Sequence, residues 1–193
     1  MAASETTICS WALGSDGERM YHDSEWGVPL HDDRGLFEFI CLEGAQAGLS
    51  WRTVLNKRER YREVFDGFDM AKCSRITDQR IEELLLDSGI IRNRLKVTSI
   101  RDNARAALAA IDEFGSLDAF LWSFVDGKPI QNGWRSMSDV PAITSISDML
   151  SKHMKKQGFR FVGSTICYAL MQATGMVNDH LVACPRHAEC KKA

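Results

Sequence analysis

The chain has 193 residues, a formal net charge of −2, and 45% hydrophobic and 26% charged residues. That length suits one domain, or one domain with a small lobe, with enough apolar surface for a true core. The charge excludes general basicity as a means of holding nucleic acid, so any such site needs a local basic patch. No apolar run is long enough to span a membrane, and residues 1–8 lack the basic and apolar regions of a secretory leader. A cytoplasmic location is therefore expected. The six cysteines (Cys9, Cys41, Cys73, Cys167, Cys184, Cys190) are then expected as free thiols or metal ligands rather than three disulfides.

Periodicity is helical nearly throughout, which predicts an all-α fold. Leu36, Ile40 and Ala47 form an apolar helical stripe. Glu43 falls roughly 40° from the centre of that stripe, and Glu38 on the opposite face. A carboxylate on a core-facing stripe must be neutral, paired, or lining a cavity, although a lone Glu at a stripe's edge more often reaches solvent. The run Gly44-Ala45-Gln46-Ala47-Gly48 that follows is small enough to let something approach closely, and Leu49-Ser50-Trp51 closes it. Val54, Tyr61, Phe65 and Phe68 bracket a second helix with a charged face. Asp78 is placed to cap a third, containing Ile81, Leu84 and Leu85 and ended by Gly89. A long helix is predicted from about Arg92 to Glu113, then a short aromatic one from Leu117 to Val125. Residues 127–144 hold two of the four prolines and read as a loop. Ser145 with Asp148 resembles a capping box for a helix over Ile146–Gln157, stopped by Gly158. The apolar stretch Thr165–Thr174 ends at Gly175, and no strand hairpin is signalled.

Three constellations carry chemistry. Cys9 and His22 near the start, with His180 and Cys184 spaced His-x3-Cys near the end, supply two thiolates and two imidazoles, a natural tetrahedral set for Zn²⁺. On one shared ion they would tie the two ends of the chain together. Trp11, Tyr21 and Trp26 lie among the proposed ligands, and five tryptophans are present in all. Aromatics are more often core than platform, yet with an acid they suit a pocket for a flat, cationic heterocycle. Residues 79–112 read as helix, turn, helix. The second helix opens on Arg92-Asn93-Arg94-Leu95-Lys96, cations at a helix N-terminus where acids are preferred, a disagreement that a phosphate would resolve. An ordinary solvated hairpin accounts for the same residues. Taken with the acid-lined aromatic site, the hairpin suggests DNA held by its backbone while one base enters a pocket.

Several stretches resemble the DNA-3-methyladenine glycosylase I family of the helix-hairpin-helix glycosylase superfamily. They are residues 21–29 (Tyr-His-Asp-Ser-Glu-Trp-Gly-Val-Pro), 40–51 (from Ile-Cys-Leu-Glu to Leu-Ser-Trp), Gly89–Arg94, Trp122–Val125, Phe161–Tyr168 and Val177–His180. They run in family order from about Cys9 to Cys184. The resemblance implies a single glycosylase domain over 1–193, with a helix-hairpin-helix at about 79–112 and zinc-tethered termini at about 9–26 and 176–184. It implies one structural zinc on Cys9, His22, His180 and Cys184. It also implies that Glu43 reads the extruded base, that Trp51, Trp11 and Tyr21 line its pocket, and that Gly48-Leu49 wedges the duplex. The hairpin, through Gly89, Ile91, Arg92 and Arg94, would grip phosphates. The implied reaction is monofunctional hydrolysis of the N-glycosidic bond of N3-methyladenine in double-stranded alkylated DNA, leaving an abasic site.

Two features depart from the family pattern. Glu18 stands where a second pocket tyrosine is common, and His187 and Cys190 offer rival metal ligands. Related glycosylases use an aspartate after the hairpin, but neither Asp102 nor Asp112 is assigned that role. A monomer is expected. A silent lesion-binding module and a zinc-clipped interaction protein stand as alternatives.

Overall fold

The computed structural model describes residues 8–192, and the segment read for a leader lies, but for Ile8, outside them. A 3₁₀ turn (Ser10–Leu13) leads into α1 (Asp16–Ser24), whose N-cap Ser15 accepts from the Glu18 amide. Helix α2 (Asp33–Gln46) is capped by Asp32 and buried without a break from Leu36 to Ala45. It is therefore a central helix, and the one-stripe reading of it needs correction. Glu38 does leave the stripe, but it is buried as well, because Arg58 and Arg62 close over it at 2.5 and 2.9 Å.

The single helix expected around Val54–Phe68 is broken into three pieces. These are α3 (Trp51–Leu55), α4 (Arg58–Val64) and a 3₁₀ turn at Asp66–Phe68. The chain tightens where the Lys57 amide reaches back to the Val54 carbonyl, and Arg58 beyond the break turns inward to Glu38 and Glu25. Helices α5 (Met70–Cys73) and α6 (Asp78–Leu84) follow. Thr77, not Asp78, caps α6, its hydroxyl accepting from the Arg80 amide. That helix stops at Leu84, before Gly89. Gly89 is instead required for close approach, since a Cβ there would meet Arg60 Cγ at 2.5 Å.

Helix α7 (Arg94–Phe114), capped by Asn93, begins two residues later than the sequence suggests. Helix α8 (Leu117–Trp122) and a 3₁₀ turn (Ser123–Val125) complete the short aromatic segment. The stretch 127–144 is mostly irregular but holds β1 (Ile130–Gln131) and a 3₁₀ turn at Met137–Asp139. Helix α9 (Ser145–Lys156) has its capping box one residue earlier than expected, between Thr144 and Ser147 rather than Ser145 and Asp148. Helix α10 (Ser164–Ala173) leads to β2 (Val177–Asn178), which pairs parallel with β1, and to α11 (Pro185–Cys190).

Helices α7 and α10 both pack on α2, and α9 packs on α10. One hydrophobic cluster runs from Cys9 to Cys184. All six cysteines are free and buried. No described helix is long and apolar enough to cross a membrane.

Candidate active site and metal cluster

Helix α2 delivers Glu43 to the floor of a cavity of about 170 Å³ lined by Trp11, Tyr21, Trp26, Gln46 and Trp51, with Met137, Ala169 and Gln172 closing it. The walls are aromatic and interlocked. Tyr21 lies 5.2 Å from Trp51, and Trp11 5.0 Å from Trp26 in an edge-on contact, centroid to centroid. Glu43 is 3% exposed. Burial alone pushes its carboxyl up to about 8. Neither Glu43 Oε2 nor Trp51 Nε1 has a hydrogen-bond partner in the protein. A buried acceptor and a buried donor left unpaired in one cavity are costly unless something else pairs with them. The same field raises Tyr21, by burial first and by the nearby Glu43 second.

Glu43, Trp51, Tyr21 and Trp11 thus meet, as the sequence suggests. Trp26, grouped with Trp11 and Tyr21 in the sequence, also lines it; Gln46, Met137, Ala169 and Gln172 complete the lining and were not singled out as site residues. Gln46 lies one helical turn beyond Glu43, so periodicity would have found it. Met137 and the α10 residues arrive from over ninety positions away, and no local signal marks them. Glu18 does not line the cavity. Its carboxylate is turned to Arg52 and Ser15, at 2.8 and 3.0 Å, so it ties α1 to α3. Asp102 lines separate surface hollows beside Arg160. Gln172 donates to Asp179, a fully buried carboxylate that also accepts from Asn132, Trp134 and Tyr168 at 2.6–2.8 Å.

Behind the aromatic wall, Cys9, His22, His180 and Cys184 form a buried cluster whose ligand atoms all lie within 4.8 Å of one another. His180 Nδ1 is 3.2 Å from His22 Nε2 and 3.8 Å from Cys9 Sγ, and Cys184 Sγ is 3.6 Å from His22 Nε2. A tetrahedral ion with bonds of about 2.0–2.3 Å sets its donors roughly 3.3–3.8 Å apart, so the set fits. The outer nitrogens agree. His22 Nδ1 faces Asp23 Oδ1 at 2.7 Å, and His180 Nε2 faces the Trp26 carbonyl at 2.9 Å. Both acceptors call for an N–H there, which leaves the other nitrogen of each ring as a lone-pair donor aimed at the cluster. His187 instead faces the Asn132 carbonyl, and Cys190 lies outside the four. The cluster touches the cavity wall, with Trp26 4.6 Å from His180 and Trp11 5.5 Å from His22, centroid to centroid.

Two helix–turn–helix pairs flank α2. In the α6–α7 turn, Arg92 and Arg94 are exposed, and Arg94 pairs with Glu82. Several amides of this turn are engaged within the protein, two of them by side chains. Gly89 N–H donates to Asp87 Oδ1 at 2.7 Å, and Ile91 N–H to the Tyr61 hydroxyl at 3.2 Å. The α9–α10 pair was not read as a hairpin. Its turn carries exposed Arg160, held through its backbone by Asn103. Phe161, next to it, packs so closely on α2 that a Cβ on Gly44 would lie 3.2 Å from its Cβ. Between the two turns, Gly48 has φ +75° with nothing within 4 Å of a Cβ position, and Leu49 is 42% exposed.

Residues 11–187 match the family model described as methyladenine glycosylase. The chain is 50% identical over 176 residues to DNA-3-methyladenine glycosylase 1 of Escherichia coli (strain K12), covering 91% of this chain and 94% of the relative. It is 49% identical to the DNA-3-methyladenine glycosylase of Haemophilus influenzae, covering 93% of this chain and 97% of the relative. Among solved structures it superimposes with a TM-score of 0.90, at 35% identity, on 3-methyladenine DNA glycosylase I from Staphylococcus aureus, a structure described as giving the basis of 3-methyladenine recognition. That match covers 93% of this chain and 96% of the other.

Proposed function

The chain belongs to the methyladenine glycosylase family, and on that premise we propose how its own residues perform the reaction. The protein is a DNA-3-methyladenine glycosylase. It acts in base-excision repair, hydrolysing the N-glycosidic bond of N3-methyladenine in alkylated DNA. The C1′–N9 bond breaks with its electron pair going to the base, water supplies the new oxygen at C1′, and its proton leaves to solvent. The free base and an abasic site remain. Methylation at N3 makes the base cationic and therefore already a good leaving group, so modest acceleration suffices.

The observation that carries the reading is the unpaired Glu43 Oε2 beside the unpaired Trp51 Nε1 in an aromatic cavity. A cationic purine supplies N–H donors for the carboxyl and ring acceptors for the indole, and its flat faces stack on Trp11, Tyr21 and Trp51. Its charge draws the neutral Glu43 toward ionisation. Undamaged adenine brings no charge, and so gains less from this site and costs more to unstack.

The Cys9, His22, His180 and Cys184 set holds one Zn²⁺ in our reading. Four protein ligands leave no open position for water, so the ion, when bound, supplies structure and no chemistry. The whole chain then forms one glycosylase unit clipped at its ends, acting as a monomer on double-stranded DNA. Exposed Gly48-Leu49 fills the gap left by the extruded base. Helix-hairpin-helix contacts hold phosphates through Arg92, Arg94 and the amides of Arg94 and Leu95 at the start of α7, since Asn93 takes those of Lys96 and Val97, and Gly89 and Ile91 have given theirs to Asp87 and Tyr61. The α9–α10 turn supports a second phosphate contact at Arg160, because Phe161 seats that turn against α2 beside Glu43.

Release of free bases from randomly methylated duplex DNA tests the reading. The wild type should liberate 3-methyladenine selectively, and Glu43→Gln should lose about 10²-fold, the cost of losing a charge-assisted hydrogen bond that captures the cationic base. Wild-type excision by Glu43→Gln would defeat the electrostatic account. Lesion binding without any base release would favour a silent damage-binding module.

A further inference from the structure

Helix α2 carries Glu43 in its last turn and runs straight into Ala47-Gly48-Leu49. The last carbonyls of a helix have no partner within it. The turn's own amides take two of them, Ala47 N–H reaching the Gly44 carbonyl at 3.3 Å and Leu49 N–H the Gln46 carbonyl at 2.6 Å. The carbonyls of Ala45 and Ala47 accept instead from the ammonium of Lys96, at 2.8 and 2.6 Å. Lys96 lies in the first turn of α7 and is 8% exposed.

Nothing in α7 favours a lysine there. A cation at a helix N-terminus opposes the helix dipole, and burying it costs free energy. The negative end of α2 offsets both, through two charge-assisted hydrogen bonds. The ammonium thereby joins the helix bearing Glu43, the base of the Gly48-Leu49 turn, and the start of the helix that follows Arg92. At its tip the turn is open, with nothing within 4 Å of a Cβ on Gly48 and Leu49 42% exposed.

We propose that Lys96 is a positioning residue that sets the Ala47-Gly48-Leu49 turn, so that Leu49 enters the duplex as the damaged base leaves the stack. This rests on the glycosylase reading above. The test uses the full-length, zinc-loaded chain as wild type, Lys96→Met, Leu49→Ala and the double variant. Two quantities are compared, the affinity for free 3-methyladenine by tryptophan fluorescence and single-turnover base release from a lesion-bearing duplex. Lys96→Met should bind the free base within about twofold of wild type and lose about 10- to 100-fold in duplex release. Leu49→Ala should add little in the Lys96→Met background, the non-additivity expected of residues acting as one unit and not of a general loss of stability.

Full duplex activity in Lys96→Met, additive losses, or an equal loss of free-base affinity would each overturn the proposal. Should Lys96→Met fail to fold, Lys96→Gln takes its place with the same criteria. Failure of both to fold would reduce Lys96 to a structural role and overturn it too. A folded wild type that releases no base would instead sink the underlying glycosylase reading, a result independent of Lys96.

Discussion

Glu43 is a buried carboxyl held at a cost to the fold. Burial raises its pKa from 4.5 to about 8. Between those values the folded state keeps a proton that the unfolded chain has released, so stability falls as pH rises through that window and levels off above it. Glu43→Gln removes the dependence. The variant should melt with wild type at pH 4.5 and above it at pH 8, by roughly 3 kcal/mol after allowing for relaxation around the site. Thermal melts across that range check this, and equal curves at pH 8 would mean the carboxyl is better solvated than its surroundings suggest. The stabilised variant should also be the less active one, as expected where a buried group is kept at a cost in stability for its function. Glu38 is the contrasting acid on the same helix. It is buried too, but Arg58 and Arg62 pair with it, and it is left with nothing to offer a ligand.

At the scale of elements, the two helix–turn–helix pairs are where we propose that a protein of net charge −2 meets a polyanion. Each phosphate contact releases counterions, so removing one lowers the salt sensitivity of binding. Arg92→Ala and Arg160→Ala should each weaken binding to undamaged and damaged duplex alike, and each reduce the slope of log K against log salt by about 1. An unchanged slope for Arg160→Ala would confine the grip to the α6–α7 turn. The caps illustrate a smaller lesson. Thr77 and Thr144, each one residue ahead of the expected cap, hold the helix starts. Neighbouring Thr, Asp and Ser all have capping chemistry, and only the backbone path selects among them.

For the molecule as a whole, the Cys-His cluster brings together residues of the first and last described segments, with its rings against Trp11 and Trp26 of the cavity wall, and the proposed zinc would clip them. In the absence of a cation, burial lifts the Cys9 thiol to about 12 and lowers His180 to about 4, so both are neutral. A bound Zn²⁺ would displace the thiol protons and become part of the folding free energy. Verified removal of zinc should lower the melting temperature by about 10 °C or more in a chain of this size, and weaken free-base binding as the wall loosens. An unaltered melting curve after removal would refute the clip.

The sequence by itself determined the helical class, the acid on the buried helix, the aromatic set near the N-terminus and the two Cys and two His of metal-ligand type, because these follow from local periodicity and side-chain chemistry. It left Glu43 undecided between solvent and cavity, ran α3 and α4 together, and marked only one of the two helix–turn–helix pairs. Tertiary structure decided those points. The closure of the cavity by Met137, Ala169 and Gln172, the pairing of Glu38, the turning away of Glu18 and the reach of Lys96 to α2 are all contacts between distant segments. Backbone preference and periodicity act over a few residues, whereas a cavity and its electrostatics exist only once remote elements have packed and excluded water.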